Sequence, residues 1–232
     1  MEFNWLDHIF VLVVMVIMPI LSIKTKQSSE DIEYVVPPKK HLFYSNGLML
    51  IIGALLILSS WNISGRSWVD LGMRWPELDF DLVYPVILVT ALYLSDTVYS
   101  WMNKAYKENK IRELSFLVPL TWQEYGHYVF LAFAAGICEE IIFRGFLINY
   151  LQYYLSGYAY ATLISITLPA IVFSLSHLYQ GWWAVLKILA IAILFGWIFI
   201  VTKSLLIVIV LHIVIDLISG MVGIGMVEEE QL

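Results

Sequence analysis

Seven apolar runs, near residues 8–23, 43–60, 82–100, 127–150, 158–178, 183–201 and 204–222, dominate this sequence. Most approach the ~20 residues that a helix needs to cross the hydrocarbon core of a bilayer. Of the 232 residues, 60% are hydrophobic and only 14% are charged, and the mean hydropathy is +0.80. Soluble domains are nearer half apolar and a quarter charged, and a soluble chain of this size could not hide so much apolar surface. The expected fold is all-α: a polytopic transmembrane helix bundle of about seven to eight spans. The start, MEFNWLDHIFVLVVMVIMPIL, lacks the basic region and cleavage site of a signal peptide and reads as a retained first span.

Polar links separate the runs. They are 24–41 (with Pro37 and Pro38), 64–79 and 103–116, all read as loops. The piece 114–126 could be an interfacial helix leading into the fourth span. There is no internal repeat and no low-complexity tract, so the chain reads as one continuous membrane domain. Within it, 1–126 would hold N-terminal spans and loops, 127–222 the functional core, and 223–232 a tail. Cytoplasmic loops collect Lys and Arg. Lys24, Lys26, Lys39 and Lys40 in the first link, and Lys104, Lys107, Lys110 and Arg112 in the third, place those two inside. The second link, with Arg66 and Arg74, and the N-terminus then lie outside. The aromatic residues near the run boundaries, such as Trp61, Trp101, Trp122 and Trp182, read mainly as interfacial anchors. A net charge of −6 gives no basic footprint, so nucleic acid is not an expected partner. A single cysteine, Cys138, forbids an intrachain disulfide and any cysteine-based zinc cluster.

The functional signal is polar. GICEEIIFRGF (136–146) places Glu139, Glu140 and Arg144 inside an apolar run, and His177, His212 and Asp216 lie in the later spans. Each ionisable group costs roughly 2–3 kcal/mol at mid-bilayer, so each should face the bundle interior or a wet cavity. Glu140 and Arg144 are four apart, on one helical face, and should pair. Glu139 points about 100° away and is left for chemistry. His212 and Asp216 repeat the four-residue spacing, as do Phe173 and His177. A glutamate beside a histidine can take a proton from water and return it to a leaving amine, and a second imidazole can steady an oxyanion. That is equipment for hydrolysing a carbonyl bond. His177, His212 and Asp216 could instead bind zinc, although HExxH is absent. Cys138 could act as a nucleophile with His177 or fill space as a small hydrophobe. Against all of this stands a structural role, with polar groups gluing helices together. The small residues Ala132 and Gly136, and Ser219 and Gly223, favour close helix contacts, within the chain or between chains.

EEIIFR (139–144) followed by GF, FSLSH (173–177) and HIVID (212–216) resemble, in order, the three motifs of the CPBP family. These are the CAAX-prenyl-protease and bacteriocin-processing intramembrane endopeptidases, also called Abi. LGMRWP (71–76) resembles a piece found before that family's core. The likeness is specific over about 127–220. It implies that Glu139 and His177 activate water, that Glu140 is held by Arg144, and that His212 and Asp216 steady the oxyanion, with Phe173 in support. The prenyl-protease branch has Asn at the last position, where this chain has Asp216, which weakens the implication of prenylated substrates. The expected function is therefore an intramembrane endopeptidase of a bacterial cell membrane, its site toward the cytoplasm, cutting a membrane-associated peptide or protein. A trimmed signalling peptide, a matured bacteriocin-like peptide or a processed C-terminus would be its product. No cofactor is required on this reading, and a zinc enzyme using the same residues is the variant. The alternatives of other classes are an immunity or scaffolding protein that needs no protease activity, and a proton-coupled transporter. Oligomeric state is not legible.

Overall fold

The computed structural model describes residues 2–31, 37–76, 82–115 and 117–228. Parts of the expected loops (32–36, 77–79 and Phe116) and the end of the tail (229–232) lie outside the described residues. Among those described, the chain forms eight helices and no strand. A bilayer leaves backbone groups no water to bond, so a spanning segment satisfies them internally as helix. Helix α1 (5–31) starts at Asn4, whose side chain accepts the Leu6 and Asp7 amides while Asp7 accepts the Asn4 amide. It passes through a π-helical stretch, Val13–Ile17, just ahead of Pro19. Proline has no N–H and crowds the preceding turn, and the wider π turn accommodates both defects. Helix α2 is Lys39–Ile63, α3 Val83–Met102 and α4 Lys104–Leu114. Helix α5 (122–155) is one rod in which Ile141–Ile148 is π-helical. Helix α6 is Ala161–Ser176, α7 Trp182–Thr202 and α8 Leu205–Glu228.

Among the described residues, five helices are long and apolar enough to cross a membrane: Trp5–Lys24, Lys39–Ile63, Val83–Met102, Trp182–Thr202 and Leu205–Met226. Many of their large apolar side chains point outward, among them Leu12, Ile52, Leu88, Leu186 and Val210. Such a surface suits lipid rather than water, and the chain is an integral, multi-pass membrane protein. The expected fifth span is the shorter apolar helix Ala161–Ser176. The expected fourth is α5, which carries the charged motif. Two links are corrected: in the first, 24–31 continues helix α1 and 39–41 opens α2, and in the third, 103–116 is largely helix α4 rather than loop. Asn103 ends α3 and caps α4 by accepting the Tyr106 amide, and Lys, Ala and Glu favour helix after it. Among the described residues of 114–126 there is no separate interfacial helix: α4 ends at Leu114 and α5 begins at Trp122.

Helix α5 is central. It packs against α2 and α8, and its π segment meets α6 and α7. Helix α6 lies on α7, which also carries α3. Alternating helices give the bundle two ends. One gathers the N-terminus and the second link: Arg66 bonds Asp7, the Leu205 amide donates to Gly72 O at 2.9 Å, and Ser204 Oγ donates to Arg74 O at 2.6 Å. The other gathers the lysine-rich links, where Lys39 pairs with Glu124 at 2.8 Å. The LGMRWP segment is thus a strap holding the start of α8 to α5. Gly72 takes φ +97°, which a side chain resists.

Candidate active site

The site is built by one close approach. A Cβ on Gly136 would stand 2.5 Å from Ile213 Cγ1 and 3.0 Å from the Ile213 amide nitrogen. Glycine there lets α5 and α8 nearly touch and sets both glutamates beside His212. The small-residue pairs therefore serve packing within the chain; Gly223 likewise faces Pro119 O, 3.1 Å from where its Cβ would be.

Arg144 Nη1 donates to Glu140 Oε1 at 2.9 Å, as the four-residue spacing requires, and Nη2 donates to the Ala192 carbonyl of α7 at 3.3 Å. The guanidinium lies between the rings of Phe173 (5.0 Å) and Phe195 (5.4 Å). Both members of the pair are buried. His212 Nδ1 also reaches Glu140 Oε1, at 2.7 Å. A carboxylate only accepts, so this nitrogen carries the hydrogen. Nε2 of the same ring looks toward Glu139 Oε2 and Asp216 Oδ2, each 3.7 Å away. The helical phase thus separates the glutamates as expected, but His212 joins them again: Glu140 holds one ring nitrogen and Glu139 faces the other. Glu140 Oε2 is buried and has no donor among the described residues.

His177 closes α6. Its Nδ1 donates to the Phe173 carbonyl at 2.8 Å, which leaves the Nε2 lone pair unengaged in the neutral ring. The Phe173 ring lies 4.7 Å from that of His177, tilted by 51°, and contacts Phe143 edge-on at 4.9 Å. His177, His212, Asp216, Phe173 and Arg144 line one cavity of about 170 Å³. Glu139 does not line it and meets it through His212. No hydrogen bond joins His177 to Glu139 among the described residues, so the expected pair is not in direct contact. Cys138 is buried in an apolar cluster with Ala54, Ile141 and Val208, the surroundings of a packing residue. Among the described residues no group of three His, Cys, Asp or Glu side chains is placed to hold a metal ion. His177, His212 and Asp216 share a cavity but are not gathered as ligands.

Sequence reasoning passed over Asp7, Asp96 and Lys187, charged residues that lie within the spans. Lys187 lines the same cavity and bonds Asp96. Counting every charge inside an apolar run would have found Asp96 and Lys187; Asp7 lies one residue ahead of the first run. The π-helical form of Ile141–Ile148, directly after the glutamates, had no signal in the periodicity. Gly145 within it allows the strap to approach: its Cβ would stand 2.9 Å from Leu71 O.

Residues 121–218 match the family model described as type II CAAX prenyl endopeptidase Rce1-like. The matched segment runs from the cap of α5 into α8 and contains every residue of the cluster around His212. It agrees with the CPBP likeness read from the three motifs and points to a membrane peptide hydrolase. No curated protein and no solved structure gives a significant match.

Proposed function

We propose that the protein is an intramembrane endopeptidase in which Glu139 and His177 activate a water molecule against a peptide carbonyl. The observation that carries this reading is the clamped His212. Glu140 fixes its Nδ1, leaving Nε2 aimed between Glu139 and Asp216 at the edge of the His177 cavity. Glu139 takes a proton as the water oxygen bonds to the carbonyl carbon, and the same proton passes to the departing amine as the C–N bond breaks. His177 Nε2 accepts the water's other hydrogen and orients it. Doubly protonated His212 keeps one N–H on Glu140 and turns the other to the oxyanion. Arg144 positions Glu140, and Asp216 orients His212.

The substrate is a membrane-associated peptide or protein that enters from the lysine-rich end. That end faces the cytoplasm under the positive-inside rule. The organism on this reading is a bacterium. The family name makes a processed C-terminus the leading product class; because Asp216 replaces Asn, prenylation is one arm of the test. The test uses purified protein in detergent with paired farnesylated and unmodified C-terminal peptides, read by mass spectrometry. Cleavage lost in Glu139→Gln supports the proposal. Full complementation of a genetic defect by Glu139→Gln would replace it with a scaffolding role.

A further inference from the structure

Lys110 of α4 and Lys187 of α7 converge on one oxygen. Their Nζ atoms lie 2.7 Å and 2.8 Å from Asp96 Oδ2. The other carboxylate oxygen, Oδ1, accepts from Tyr106 Oη at 2.8 Å, and Lys110 also reaches Ser100 Oγ at 3.0 Å. Two ammonium groups thus share one carboxylate, in a part-buried place with side-chain exposures of 21% for Lys110, 29% for Lys187 and 15% for Asp96. Among the described residues, Asp96 balances one of these two ammonium charges. Burial lowers the pKa of Lys110, and the nearby Lys187 pushes the same way.

The cluster faces open space. Asp96, Lys110 and Lys187 line a cavity of about 170 Å³. It shares Tyr93, Gln180, Lys187, Asp216 and Ser219 with the cavity of His177 and His212. The two cavities are therefore neighbours that share part of their lining, Lys187 and Asp216 included. Lys187 precedes Ala192, the residue whose carbonyl holds Arg144, by five positions, or about 7.5 Å of helix rise. An extended peptide advances ~3.3 Å per residue, so this offset corresponds to about two residues.

We propose that Lys110 and Lys187 receive the C-terminal carboxylate of the substrate peptide, a few residues beyond the bond that is cut. The inference rests on the protease reading of the neighbouring site. A carboxylate entering here makes charge-assisted hydrogen bonds to the two ammonium groups, which otherwise share the single carboxylate of Asp96. Asp216, on the α8 wall of the same space, repels that carboxylate and directs it to the lysine side. Peptide register would then be set by distance from a fixed charge, which needs no specific side-chain pocket.

Binding can be measured apart from turnover. The probe is a fluorescein-labelled, farnesylated peptide ending in a CAAX-type tetrapeptide, made as free carboxylate and as amide. Anisotropy is read with the Glu139→Gln protein in nanodiscs. The carboxylate form is expected to bind about tenfold tighter or more. Lys187→Gln in that background should erase the difference without weakening the amide form, and Lys187→Arg should restore it. Lys110→Gln gives a second reading if Lys187→Gln does not fold. Equal affinity for the two forms, or no binding of either, overturns the proposal. So does equal weakening of both by Lys187→Gln, which marks a structural role. A lysine dependence that follows phosphatidylglycerol content and ignores the peptide terminus assigns the cluster to lipid headgroups and also overturns it. Carboxylate preference without cleavage by the unmodified enzyme would leave the inference standing and sink the protease reading instead.

Discussion

Two buried Arg–carboxylate pairs sit at different levels of this bundle, and they are finished differently. Near the N-terminus, Asp7 Oδ1 accepts from Arg66 Nη2 at 3.0 Å and from Ser60 Oγ at 2.8 Å, and Oδ2 accepts the Asn4 amide at 2.8 Å. Every oxygen of that acid is used. The unmet demand falls on Arg66, whose Nε and Nη1 have no partner among the described residues. It is softened by the faces of Trp61 and Phe3, 4.5 Å and 4.8 Å away. In α5 the balance is reversed. Arg144 is held by an acid, a carbonyl and two aromatic rings, while Glu140 keeps one oxygen without a donor. A buried acceptor left in that state costs free energy. The first pair is a clasp between α1 and the second link. The second spends stability to present His212 beside a cavity.

The sharpest way to break this contrast is a crossed pair of substitutions. Glu139→Gln should lower cleavage by about 10²–10⁴-fold, the usual worth of a general base, and leave thermal melting in detergent near that of the parent. Asp7→Asn should do the opposite. It strands Arg66 and should cost about 3–5 kcal/mol, with activity per folded molecule unchanged. Activity lost in Asp7→Asn at full folded yield would make the clasp part of the machinery. Glu140→Ala combines both effects, since it strands Arg144 and releases His212. Its melting temperature should fall well below that of Glu139→Gln; equal melting of the two would remove the distinction between the glutamates.

The sequence already showed which face of α5 carries Glu140 and Arg144, because four-residue spacing in a helix leaves little choice. It also showed that His177, His212 and Asp216 belong near them, because isolated ionisable groups in apolar runs must find company. The hydropathy pattern gave seven runs: five of them are the full-length spans, the fifth run is the shorter Ala161–Ser176, and the fourth is α5. What it could not show was contact at the level of single atoms. Nothing in the motifs says that His212 touches Glu140 rather than His177, or that the Ala192 carbonyl completes Arg144. Those depend on how α5, α7 and α8 are rotated against one another. The helix α4 was hidden for another reason: its sequence is charged, and a polar stretch between spans reads as a loop unless its Asn103 cap is noticed. Asp96 and Lys187 were passed over because each is alone in its run and only folding brings them together.

A smaller effect comes from the contact that assembles the site. Gly136→Ala puts a methyl group where Ile213 already stands, at 2.5 Å from its Cγ1. Overpacking of this kind costs about 1–3 kcal/mol. The same shift moves His212 away from Glu140, so cleavage should fall by more than the loss of folded protein explains. Gly126→Ala is the control, because nothing lies within 4 Å of a Cβ there. If both variants behave alike, close approach of α5 and α8 is not what sets the site.

The smallest expected effect is that of chelation. His177 keeps Nδ1 on the Phe173 carbonyl and His212 keeps Nδ1 on Glu140. Each offers only Nε2 to any ion, and the described residues form no ligand group of three. The Nε2 of His212 is instead 3.7 Å from two carboxylates, a spacing suited to a protonated ring between acids. On that arrangement, prolonged treatment with a strong chelator should leave the cleavage rate within about twofold of the untreated protein, because the proposed mechanism activates water with Glu139 and His177 and relies on no Lewis acid. The competing outcome is concrete. Stoichiometric zinc in active protein, lost and regained together with activity, would mean that His177, His212 and Asp216 rotate into a ligand set on binding the ion. The Asp216→Asn variant then separates the two mechanisms. It should weaken a zinc site sharply, whereas in the metal-free site an amide can still orient His212 and cleavage should persist.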